Sequence, residues 1–94
     1  PEETLTALTT YGERIGLVYQ IIDDVLDVVG EEAKLGKHTG SDASKATYPA
    51  AFGVARSREI AAALTGEAQE ALRPLGRAGD ILRGLAGYLL AREA

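Results

Sequence analysis

The sequence predicts an all-α fold, and three observations carry that expectation. Apolar residues recur at three- and four-residue steps along most of the chain. No stretch alternates apolar with polar residues as a half-buried strand would. Glycine, proline and charge gather in short breaks between the periodic segments. No internal repeat or low-complexity tract interrupts this pattern.

The first predicted helix runs from about Glu3 to Val29. Its stripe is Leu8, Tyr11, Ile15, Val18, Ile22, Val25 and Val29. Gly12 and Gly16 lower its intrinsic propensity, so packing has to hold it, and Gly30 is the natural stop. The stretch GEEAKLGKHTGSDASKATYP, Gly30 to Pro49, lacks apolar periodicity and is predicted to be a loop. A short helical turn through AAFGVA is expected after Pro49. From about Ser57 to Arg73 an alanine-rich helix carries Ile60, Leu64 and Leu72 on one side, with Pro74 and Gly76 as its stop. A last helix is expected from Asp80, as N-cap, through ILRGLAGYLLARE, with Ile81, Leu82, Leu85 and Leu89 as its stripe.

Composition narrows the function. The 94 residues suit one small domain, 46% hydrophobic and 26% charged. A net charge of −4 without a basic stripe argues against nucleic acid as the main partner. With no cysteine, disulfides and thiolate metal sites are excluded. The apolar stretches are cut by Gln20, Asp23 and Asp27, so no membrane span is expected, and no signal segment opens the chain. A reducing, cytoplasmic setting is the default expectation. The chain also lacks methionine altogether and begins at Pro1-Glu2-Glu3, which reads as a piece of a longer protein.

The chemistry concentrates in LVYQIIDDVLDVV, Leu17 to Val29. On a helix turning about 100° per residue, Asp23, Asp24 and Asp27 fall within an arc of roughly 100° around Gln20, with Glu13 and Gly16 inside it. Apolar side chains fill about 200° of what remains, the reverse of an ordinary surface helix. Such a helix is expected to be surrounded by protein, with one polar strip facing a cavity. Three neighbouring carboxylates there either take up protons or hold a cation. Oxygen-only ligands favour Mg²⁺ or Mn²⁺ over zinc. An EF-hand is excluded, because its acidic residues alternate in a turn rather than line a helix. A solvated acidic patch is the plain alternative, and the apolar surroundings count against it.

All three lysines, Lys34, Lys37 and Lys45, follow within the next loop. A lysine is a compact charge suited to phosphate, and Gly36 and Gly40 allow close backbone approach. Acids and bases side by side fit one ligand with several negative charges, a diphosphate, bridged to the aspartates by Mg²⁺ and held directly by lysines. GEEAKLGKH is no P-loop: its glycine spacing is one residue too long, Lys37 is not followed by Ser or Thr, and a helix precedes it. His38 has no spaced partner and is assigned no role.

Taken together, GLVYQIIDDVLDVVGEEAKLGKHTGSDASKATYPAAFG closely resembles the second half of the bacterial trans-polyprenyl diphosphate synthases, which include farnesyl and geranylgeranyl diphosphate synthases. The family's second DDxxD motif, after an aromatic-Gln pair, matches Tyr19-Gln20 and Asp23 to Asp27; its G-K-x-x-G-x-D matches Gly36 to Asp42, and its K-x-T-Y-P matches Lys45 to Pro49. LAGYLLARE resembles the family's closing helix. The resemblance implies the C-terminal helices of a single helical-bundle domain, homodimeric when intact. It implies that Asp23 binds Mg²⁺ bridging to an allylic diphosphate, with Asp24 and Asp27 in support. Gln20, beside Tyr19, would line the cavity near the reacting carbons, and Lys37 and Lys45 would hold the departing diphosphate. The implied reaction is condensation of isopentenyl diphosphate with the allylic diphosphate.

Two departures bear on this. Asp42 and Lys45 lie three residues apart, where the family pattern has five, so the role of Lys45 leans on the following ATYP. The family's first aspartate-rich motif is absent from this stretch, so the 94 residues are expected to be inactive alone, and product length is not legible. A terpenoid cyclase is disfavoured by DDVLD followed by GK, since an Asn-Ser-Glu motif is usual there. The alternative from another class is a non-catalytic subunit or interaction module of a prenyl synthase complex. Isolated, the 94 residues are expected to self-associate to cover their apolar faces. Light scattering checks this, and a monodisperse monomer would contradict it.

Overall fold

The computed structural model describes residues 1–35 and 47–93. Three helices account for nearly all of them: α1 (Glu2–Leu35), α2 (Tyr48–Ala71) and α3 (Asp80–Ala91), with a 3₁₀ segment (Arg73–Gly79) leading into α3. No strand occurs among the described residues, so the all-α expectation stands. At about 1.5 Å per residue, the 34 residues of α1 make a rod as long as the 51 Å long axis of the molecule. The other helices line its side. α2 runs antiparallel to α1, and α3 turns back to run parallel to it.

Helix α1 extends past the expected stop. Gly30 lies inside it, and the helix continues to Leu35. One glycine costs a helix only about 1 kcal/mol, and the following EEAKL consists of good helix formers. Lys34 therefore lies in the last turn of α1 rather than in a loop.

The second helix begins one residue before Pro49. Thr47 is its N-cap, in extended conformation, and the Thr47 hydroxyl oxygen accepts from the Ala50 N–H at 3.2 Å. The TYP stretch thus has a structural task of its own. The expected short turn and alanine-rich helix are joined across a kink at Gly53, whose φ of 83° and ψ of 165° suit glycine. The Ser57 hydroxyl donates to the Gly53 carbonyl at 2.7 Å, within that kink.

Two clusters make the core. Val18, Ile21, Ile22 and Val25 pack on Ala61, with Tyr48, Val54, Ile60, Leu64 and Leu90 around them. Nearer the N-terminus, Tyr11 packs with Ala68, Leu72 and Ala86, flanked by Ile15, Leu75 and Leu82. The face that α2 buries is composed mainly of small residues: Ser57, Ala61, Thr65 and Ala68. The two hydroxyls among them are satisfied within the helix, for Thr65 also donates to the Ala61 carbonyl at 2.8 Å. The predicted stripe of Ile60 and Leu64 flanks this face rather than forming its centre.

Three other expectations are corrected. Asp80 is the first residue of α3, not its N-cap. Gly79 occupies the cap position, and the Asp80 carboxylate accepts instead from Arg83 Nη1 at 2.7 Å. The chain enters α3 directly from the 3₁₀ segment, whose Arg77 carbonyl accepts from the Asp80 N–H, so Asp80 is already helical and Gly79, without a side chain, precedes it. Ile81 is 85% exposed, while Ala86 is buried, so the inward face of α3 is rotated from the predicted stripe. Leu8 is exposed while its neighbours Ala7 and Tyr11 are buried, so this end of α1 turns the face of Ala7 and Tyr11, not the Leu8 face, to the other helices. Arg83 also clamps the connection. Its guanidinium donates to the carbonyls of Gly76 and Leu72 at 2.9 and 3.1 Å.

Replacing Ala61 with leucine is expected to destabilise the fold by about 1–3 kcal/mol, read as a lowered thermal midpoint, because the α1–α2 interface has no room for it. The Tyr11 hydroxyl donates to the Leu82 carbonyl at 2.7 Å, and burial raises its pKa above the usual 10.0. The folded state therefore favours the neutral phenol. Its contribution is complete below pH about 10 and is lost as pH rises through the higher folded-state value. Denaturant unfolding is expected to show this alkaline loss in the parent and not in Tyr11→Phe.

Candidate functional site

The acidic strip lies on the middle of α1, beside the end of α3. Tyr19, Gln20, Asp23, Asp24 and Asp27 all lie in described helix. Asp23 and Asp24 are half-buried, and Asp27 is exposed. Lys37 and Lys45 lie outside the described residues, as do Gly36, His38, Gly40 and Asp42.

The expectation that protein surrounds this helix is not met by the described residues. Helices α2 and α3, with the 3₁₀ segment between them, bury one side of α1 and leave Leu17, Tyr19 and Val29 exposed. On the helical wheel Leu17 and Tyr19 border the acidic strip on opposite sides. The result is an open, charged band with apolar margins, not a closed cavity.

Within the band each half-buried aspartate has its own partner. Gln20 Nε2 donates to Asp24 Oδ1 at 3.1 Å, an i,i+4 contact along the helix. Asp23 Oδ1 is paired instead with Arg92 Nη2, from the residue that follows α3. Arg92 also lies over the Tyr19 ring, its Cζ 4.8 Å from the centroid, and Nη2 reaches the Tyr19 carbonyl at 3.5 Å. With one carboxylate drawn along α1 and the next drawn toward α3, no three acidic groups converge on a single point among the described residues. The donor set is nevertheless of the right chemistry for a hard divalent ion, since the strip offers the carboxylate oxygens of Asp23, Asp24 and Asp27 and neither histidine nor cysteine. Asp27 and the second oxygen of Asp23 have no partner among the described residues.

Sequence reasoning missed Arg92. It follows the end of α3 in extended conformation, so no helical repeat points to it.

An all-α chain carrying DDxxD in the middle of a long packed helix defines a narrow class, and comparison with known proteins gives its family. The polyprenyl synthetase family model matches residues 1–76, and the chain belongs to that family. It is 43% identical over 93 residues to a dimethylallyltranstransferase of Fischerella ambigua, covering 97% of this chain and 27% of that protein. It is 41% identical over 94 residues to the farnesyl diphosphate synthase of Escherichia coli, covering 95% of this chain and 31% of that protein. A putative chloroplastic geranylgeranyl pyrophosphate synthase of Arabidopsis thaliana is 44% identical over 97 residues, covering 98% of this chain and 26% of the plant protein. The chain thus spans about a third or less of the length of these relatives. No helix among the described residues is long and apolar enough to cross a membrane.

Proposed function

We propose that this chain is the C-terminal part of a polyprenyl synthetase domain in a Mg²⁺-dependent prenyltransferase that condenses isopentenyl diphosphate with an allylic diphosphate. The observation that carries the reading is the carboxylate band of Asp23, Asp24 and Asp27, set between apolar margins in a chain of this family. The names of the three relatives agree with it.

In this reading the three aspartates hold Mg²⁺, or Mn²⁺ in its place. Lys37 and Lys45 meet the diphosphate of the allylic substrate. Tyr19 and Gln20 line the space beside the reacting carbons, Gln20 also bracing Asp24. A bound divalent ion supplies positive charge to the diphosphate oxygens. The allylic C–O bond breaks with its electron pair leaving on the diphosphate. The double bond of isopentenyl diphosphate attacks the resulting cation, and a proton is then lost. The lysines lower the barrier by meeting negative charge as it grows on the leaving group. Apolar residues from the remainder of the protein would close over the exposed margins at Leu17 and Tyr19 and keep water from the cation.

The intact protein is proposed to be a homodimer, and the 94 residues alone to be inactive, because one acidic band without a second cannot hold a diphosphate from both sides. A cytoplasmic setting belongs to the same proposal and rests on composition.

The test is to incubate the full-length protein with labelled isopentenyl diphosphate and an allylic diphosphate, with and without Mg²⁺, and to size the product. Metal-dependent elongation is expected, reduced by about a hundredfold or more in Asp23→Ala. A folded parent that elongates nothing would overturn the enzyme reading in favour of the subunit alternative.

A further inference from the structure

We infer that Arg92 is a positioning residue for Asp23, fixing that carboxylate so that one of its oxygens is presented to a divalent cation. The inference rests on the reading of the aspartate band as a cation site. Four observations support it.

First, the guanidinium meets Asp23 through Oδ1 alone. An arginine fork can engage both oxygens of a carboxylate. Here the contact is single, and Oδ2 has no partner among the described residues. Second, Arg92 is itself restrained. Its Cζ lies over the Tyr19 ring and Nη2 reaches the Tyr19 carbonyl, so the donor is set by α1 itself, one turn before Asp23. Third, the side chain is only 14% exposed, whereas that of Asp23 is 39% exposed. The arginine is thus the sheltered partner and the aspartate the one that faces outward. Fourth, Arg92 Nε is buried without a hydrogen-bond partner. The guanidinium is therefore seated by stacking and by the Asp23 contact rather than by satisfying every donor, and seating it this way leaves the second carboxylate oxygen free.

A metal ligand whose other atom is held by a fixed donor needs less reordering when the ion arrives. Loss of such outer contacts typically weakens metal binding by about 10–100-fold. The geometry uses a guanidinium that reaches the ring, the Tyr19 carbonyl and Asp23 together, which a compact lysine ammonium cannot reproduce. Arg92 also explains why the tail after α3 has a fixed place: it ties the residue following that helix to the middle of α1.

The experiment titrates Mn²⁺ into the full-length protein and follows the free ion by electron paramagnetic resonance. Asp23-dependent binding is taken as the difference between the parent and Asp23→Asn. Arg92→Gln is expected to weaken that component by about tenfold or more, and to have no further effect in the Asp23→Asn background. Arg92→Lys, which keeps the charge and is the milder change to the fold, is expected to weaken it as well. Unchanged or tighter binding in either variant would overturn the inference, since Arg92 would then be idle or a competitor of the ion. An equal loss in the Asp23→Asn background would overturn it too, as the sign of a merely structural role. A parent without any Asp23-dependent Mn²⁺ binding would instead remove the cation site beneath both readings.

Discussion

The close approach of α1 and α2 is the constraint on which the rest of the molecule depends. A helix face built around Ser57, Ala61, Thr65 and Ala68 offers little apolar surface of its own, so the burial comes from Val18, Ile21, Ile22 and Val25 packed against Ala61. That contact fixes which face of α1 is buried, and thereby which face carries Gln20 and the three aspartates. The carboxylates sit where they do because the residues between them are needed for the core.

The same constraint places α3. Tyr11 and Leu72 form the floor on which Ala86 and Leu82 rest, and the connection clamped by Arg83 turns the chain back along α1. Parallel travel brings the end of α3 to Tyr19 and Asp23, about three turns along α1 from the Tyr11–Leu82 contact. The meeting of Arg92 with the acidic band is therefore a result of helix length and direction. Exposed ion pairs such as Arg14 Nε with Glu67 Oε1, at 2.8 Å, add little by comparison, because water and salt screen them.

The open character of the band follows from the number of helices. Helices α2 and α3 cover one side of the α1 rod, and the acidic strip lies on the side they leave open. This agrees with a chain spanning 27% and 31% of the length of two of its relatives. Leu17 and Tyr19 remain the band's exposed apolar margins.

Sequence alone determined the all-α class, because periodicity over many residues is a strong local signal. It also determined the candidate aspartates, since i and i+4 spacing places Asp23 and Asp27 together on any helix. The ends of the elements were less legible. Gly30 is overridden by the good helix formers beyond it, and Asp80 loses its capping task to a 3₁₀ turn that no propensity describes. The small-residue face of α2 was hidden for a related reason: alanine and serine carry little hydrophobic signal, and their value lies in the distance they allow between backbones. Only tertiary structure joined Arg92 to Asp23. The two are 69 residues apart, and their contact depends on how far α3 runs along α1, a property of the packed helices together.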